Sequence, residues 1–226
     1  MRLAVPKVYA YAAARHSILI EDVGDWPLCK AAQGQMDDKA AAAMDGLGSD
    51  YVFKLFERAI GIIRALQSIA PDKSCVAFQR HQSFEMLLAE AKEFTEFYAV
   101  PLGLRKPAQT RLELAFEALC ETVNSLPRKL SHFDFNAYNL FVDAAGALRV
   151  LDFQDACMAA PARDIVSLLN DRGMDEVLGP ALHRRLLQAY TQILDAGSEF
   201  HVQYHCTLLH WDFRVCGRFK KLDRKQ

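Results

Sequence analysis

The chain lacks any charge imbalance: 27 Lys and Arg stand against 28 Asp and Glu, a formal net charge of −1 over 226 residues. That balance removes the electrostatic case for nucleic acid as a partner. No stretch approaches the ~18 uninterrupted apolar residues of a membrane span, and the first residues lack the apolar core of a signal peptide. The expectation is a cytoplasmic protein with no membrane partner. Six cysteines, Cys29, Cys75, Cys120, Cys157, Cys206 and Cys216, show no C-x-x-C spacing. They exclude a zinc motif or a disulfide framework and read as buried thiols. There is neither an internal repeat nor a low-complexity tract. With 51% hydrophobic residues the chain can bury a real core, in one or two domains.

What is present is concentrated in two short segments. The run His132-Phe133-Asp134-Phe135-Asn136-Ala137-Tyr138-Asn139 is followed by Asp152-Phe153-Gln154-Asp155. Moving a phosphoryl group from ATP requires a carboxylate near the acceptor hydroxyl and oxygen ligands that hold Mg²⁺ against the phosphates. Asp134 fits the first task. Asn139 lies where a short loop can return its amide oxygen to a metal, and Asp152 supplies the hard anionic ligand that Mg²⁺ prefers. His132 reads as support for the loop backbone. Between the segments, residues 140–151 form an apolar run, an Asp-Ala-Ala-Gly turn and a second apolar run, which predicts a β-hairpin. Its open end would bring Asn139 and Asp152 together.

The rest of the chain reads as a largely helical body. Val5 to Tyr11 and Ser17 to Asp25 predict two strands and a Gly-containing hinge. The pattern turns helical from about Gln35, and Val52, Leu55, Phe56, Ala59, Ile63, Leu66 and Ile69 repeat at three and four residues, with Ser49 or Asp50 as N-cap. Further helices are expected over 84–98 and 109–124, after Asp164, and through Leu182 to Leu194. His201, His205 and His210 flank Cys206, but Leu208, Leu209, Trp211 and Phe213 make that segment a packed amphipathic helix rather than a zinc site. Arg218 to Gln226 reads as a solvated basic end.

These residues resemble the aminoglycoside phosphotransferase and choline kinase family, a protein-kinase-like fold. The segments Asp152 to Ala156 and Pro161 to Leu169, the helix around Glu90 and the run Arg214 to Phe219 are most similar to bacterial kinases of N-acetylmuramate and N-acetylglucosamine. The resemblance implies an α+β fold, with residues 1–25 as the last two N-lobe strands and hinge and 26–226 as a helical C-lobe. It implies Asp134 as catalytic base, Asn139 and Asp152 as Mg²⁺ ligands and Asp164 as a structural tie to the catalytic loop. Backbone groups near Glu21 and Val23 would pair with the adenine of ATP. In the family, a loop over the phosphates, a strand lysine and a helix glutamate come before the matching segment, and Lys7 is not the counterpart of that lysine. Two strands without those partners would leave unpaired edges.

Three functions follow as expectations. The first is ATP-dependent transfer to a small-molecule hydroxyl, with the anomeric hydroxyl of an amino sugar ranked first. The second is a kinase-like module that binds without catalysis, and the third keeps the chemistry but takes an aminoglycoside or choline-type acceptor.

Overall fold

A computed structural model describes residues 4–36, 50–143 and 145–223. The chain opens with an antiparallel hairpin, β1 (Val8–Ala12) and β2 (Ser17–Ile20). Both faces are open: Tyr9, Tyr11, Ile18 and Leu19 are 57% to 73% exposed. The two strands expected there are present, and their apolar side chains are exposed.

After β2 comes α1 (Leu28–Ala32), a short helix the apolar spacing did not predict. Residues 37–49, which include most of the early helical pattern and Ser49, lie outside the described residues. The helix α2 (Tyr51–Gln67) buries Leu55, Phe56, Ala59, Ile60 and Ile63 along one stripe. The three- and four-residue spacing puts them on one face, and each of the larger side chains contributes about 1.5–3 kcal/mol by leaving water. Ile69 falls beyond the end of the helix at Ser68 and is 36% exposed. Asp50 occupies the N-cap position, but its carboxylate pairs with Arg185 and makes no cap bond.

A second group begins with α3 (Val76–Gln79) and α4 (Phe84–Glu93), the latter capped by Ser83 accepting from Met86 N. It runs on as a π-helical turn over Phe94–Ala99, followed by α5 (Lys106–Ser125). The described residues form three short strand pairs. Besides the first hairpin, β4 (Leu140–Val142) pairs with β5 (Leu148–Val150), and β3 (Lys129–Ser131) pairs with β6 (Cys157–Ala159). The first of these is the expected hairpin, and its turn is closed by Asp143 accepting from Ala145 N and Ala147 N. The body closes with α6 (Arg163–Asn170), α7 (Met174–Ile193) and α8 (Phe200–Asp223). Among the described residues no helix is long and apolar enough to cross a membrane.

Three expectations need correction. Cys29, Cys120 and Cys157 are buried, and burial pushes the last two thiols up to about 11. Cys75 and Cys216, however, are exposed, one in a loop and the other on the outer face of α8, so the cysteines are not uniformly buried. The segment from Arg218 is helical through Asp223 and is not simply solvated, because Lys221 pairs with Glu93. Asp50 caps nothing, since Arg185 offers its carboxylate a charged partner.

α8 packs directly against the end of α4. A Cβ built on Gly217 would sit 2.6 Å from the Glu93 carbonyl carbon and 2.9 Å from Phe94 Cα, and closer still to Phe94 N. Backbone atoms cannot swing aside. Gly217→Ala is therefore expected to lose roughly 1–3 kcal/mol of stability. Gly61→Ala, in α2 with nothing within 4 Å, should gain about 0.5–1 kcal/mol. Urea unfolding of the two variants checks the opposite signs.

Candidate active site

The loop between β3 and β4 holds the chemistry-bearing side chains, and Asp164 at the start of α6 holds the loop. Its carboxylate accepts from Ser131 Oγ at 2.7 Å, His132 N at 3.0 Å and Phe133 N at 3.1 Å. The group is 1% exposed, so these donors replace its lost hydration. His132 ties the loop to the far strand: its Nε2 lies 2.8 Å from Leu151 O. A carbonyl can only accept, so that nitrogen carries the proton. Its Nδ1 is buried without a partner among the described residues.

Asp134 is oriented by two amides. Asn136 Nδ2 donates to Oδ1 at 3.1 Å, while Asn139 Nδ2 donates to Oδ2 at 3.0 Å and to the Asp134 carbonyl at 2.9 Å. Each carboxylate oxygen keeps a second lone pair. Because both groups facing Asn139 Nδ2 are acceptors, the amide oxygen of Asn139 must point away from Asp134. Asn136 also accepts from Tyr138 N and Asn139 N, closing the turn. Sequence reasoning missed Asn136, although an Asn two residues after a loop aspartate is an ordinary turn signal.

Across the hairpin, Leu151 N donates to Asn139 O at 2.9 Å. Asp152 follows directly, in a left-handed conformation with φ 64°. Its carboxylate has no hydrogen bond or ion pair among the described residues. The donor set is thus all oxygen, as Mg²⁺ requires. No group of three His, Cys, Asp or Glu side chains able to hold a metal occurs among the described residues. The two residues suit a cation that takes its remaining ligands from phosphates and water.

In the segment expected to form the hinge, Glu21 N donates to Lys7 O at 2.7 Å, and the Glu21 carboxylate meets Lys7 N and Arg149. Val23 is buried, and Gly24, at φ 85°, donates to Asp22 Oδ1 to turn the chain. Lys7 sits over the Tyr9 ring, 5.3 Å from its centroid.

Beside Asp134 opens a cavity of about 230 Å³. The β3–β4 loop and the segment after Asp152 supply Asp134, Asn136 and Asp155, while α8 supplies Trp211, Arg214 and Arg218. Asp171 and Arg172 come from the α6–α7 turn. Arg218 and Phe219 therefore line the cavity instead of belonging to a bare tail. Arg214 is held by Glu90 Oε1 at 2.8 Å. His210 points inward, with Nε2 2.9 Å from Leu87 O, and burial pushes its pKa down. His201 and His205 are exposed.

A family model described as the phosphotransferase enzyme family matches residues 2–200. No curated protein matches the sequence. Among solved structures, APH(2'')-IIa in complex with gentamicin gives a TM-score of 0.63 at 20% identity, over 99% of this chain and 71% of that one. The ADP-bound aminoglycoside phosphotransferase APH(2'')-Ib gives 0.61 at 20%, over 95% and 68%. An ethanolamine kinase of Plasmodium vivax gives 0.56 at 12%, over 96% and 60%. At such identities the likeness is one of fold.

Asp164→Ala would leave three donors without their acceptor. It should cost roughly 3 kcal/mol or more, a fall in Tm of about 6–12 °C. Asp164→Asn, which keeps one acceptor oxygen, should fall by less, and calorimetry on both variants checks the order.

Proposed function

Because the chain belongs to the phosphotransferase enzyme family, we propose that it transfers the γ-phosphoryl group of ATP to the hydroxyl of a small molecule. The observation that carries this is the Asp134 carboxylate, fixed by two amides on the wall of a cavity, with the unspent oxygens of Asn139 and Asp152 brought across one hairpin. Asp134 takes the proton of the acceptor hydroxyl as that oxygen attacks phosphorus. Its remaining lone pairs face the reaction while the amides prevent rotation, so the base needs no reorganisation. Asn139 and Asp152 would hold Mg²⁺, which when bound neutralises charge on the phosphates. The hinge at Glu21 and Val23 offers the nucleotide edge, in residues 1–25, and residues 26–226 supply the rest.

The acceptor we favour is an N-acetyl amino sugar phosphorylated at its anomeric hydroxyl, on the similarity at residues 152–169 and 214–219 noted above. The cavity charge supports this. Arg172, Arg214 and Arg218 equal its aspartates in number, so it offers a polycationic aminoglycoside no net attraction. A neutral or acid-bearing sugar meets no such penalty.

Turnover is read as Mg²⁺-dependent ADP release with N-acetylmuramate, N-acetylglucosamine, gentamicin and choline as acceptors. The amino sugars are expected to be the better substrates, and higher kcat/KM on gentamicin or choline would reassign the acceptor. Asp134→Asn should lower kcat by ~10²–10⁴-fold, with a smaller fall in melting temperature than Asp164→Ala because one of its two acceptor oxygens is kept. Asp152→Asn should remove the stabilisation that ATP with Mg²⁺ confers on the wild type. A wild type with neither turnover nor a nucleotide-dependent shift would sink the enzymatic reading.

A further inference from the structure

Phe133 carries the catalytic loop through its most constrained point. Its φ of 74° lies in the left-handed region, where an aromatic side chain is rare, and it stands between His132 and Asp134. Such a conformation persists only where the surroundings overdetermine it. The amide side is secured by Ser131 Oγ at 2.9 Å and Asp164 Oδ1 at 3.1 Å.

The carbonyl side depends on a different residue. Arg163 Nη2 donates to Phe133 O at 2.9 Å, and the Arg163 guanidinium carbon lies 4.7 Å from the centroid of the Phe133 ring. The carbonyl belongs to the peptide plane that joins residue 133 to Asp134, so its direction sets the path on which Asp134 begins. Asp164 does not reach that plane.

Arg163 is 3% exposed, and burial, with Arg214 nearby, brings its pKa down to about 10, which still leaves it charged at neutral pH. The bond to Phe133 is the one hydrogen bond its side chain makes among the described residues, and Nη1 is buried without a partner. A buried cation held by a single hydrogen bond is a costly arrangement. Both of its directional contacts are to residue 133. Arg214 only borders the ring, 5.7 Å from the centroid, and is committed to Glu90.

We infer that Arg163 is a positioning residue for phosphoryl transfer: it clamps Phe133 by carbonyl and ring in the left-handed conformation and so aims the Asp134 carboxylate at the acceptor. The inference rests on the proposed role of Asp134 as base. Because Arg163 immediately precedes Asp164 at the start of α6, one helix end grips the same residue on both sides, its amide through Asp164 and its carbonyl through Arg163.

The test is a double-mutant cycle of Arg163→Met and Phe133→Gly, with Arg163→Lys as the conservative variant. Glycine adopts positive φ without support. In the wild-type background Arg163→Met should lower kcat by ~10–100-fold, with KM for ATP and acceptor within ~3-fold. In the Phe133→Gly background the same change should cost less than ~3-fold, and lysine, which keeps a donor and a charge, should fall between. An equal loss in both backgrounds, or an unchanged kcat for Arg163→Met, overturns the clamp. If the single variant fails to fold, recovery of folding by the added glycine supports it and continued failure counts against it. Should the wild type turn over no acceptor, the base role fails by itself, and the same cycle read in unfolding midpoints decides the clamp: coupling between 133 and 163 sustains it, and strict additivity overturns it.

Discussion

The buried carboxylate of Asp164 is the constraint on which the rest of the site depends. Three donors from consecutive residues, Ser131, His132 and Phe133, converge on it from the end of β3. An ionised carboxylate can be buried only when its lone pairs are met, and here meeting them fixes the path of the chain at the same time. The loop cannot leave without stranding the charge, and α6 cannot shift without opening the loop. Asp134 inherits its place from that bargain, and the amides of Asn136 and Asn139 then set the angle of its carboxylate.

The second determinant is the close approach of α8 to the end of α4. Gly217 lets two backbones meet where any side chain would collide. With that contact made, Glu90 and Glu93 on α4 reach Arg214 and Lys221 on α8. These pairs are partly buried and hold one wall of the cavity beside Asp134. A π-helical turn follows directly at Phe94–Ala99, and its Phe94 ring packs edge-on against Phe116 and Phe213. Fold and cavity therefore share the same contacts, so a change in helix packing reaches the cavity without touching the loop.

Much of this was legible in the residues. The α2 stripe repeats at helical spacing: Leu55, Phe56, Ala59 and Ile63 are buried, Val52 and Leu66 partly buried, and Ile69 lies past the helix end. The hairpin between Leu140 and Val150 shows as two apolar runs around an Asp-to-Gly turn, because turn chemistry is local. The pairing of β3 with β6 was not visible. Each strand has three residues, too few for an alternating pattern, and the partners are far apart in sequence. Arginine, too, misleads when read alone: Arg163 is buried and Arg218 lines a cavity, although both types of position look like surface in a linear sequence.

By itself the sequence determined the chemical inventory and its local frames: a base candidate, an amide and a carboxylate at spacings that a loop and hairpin can close. Those depend on residue type and near neighbours, which a chain states openly. Only the tertiary structure decided how the inventory is aimed. The left-handed turn at Phe133, the grip of Arg163 and Asp164 on its two sides, and the charge balance of the cavity arise between segments that meet only on folding. Their energies come from desolvation and from packing, and neither quantity exists until the elements are in contact.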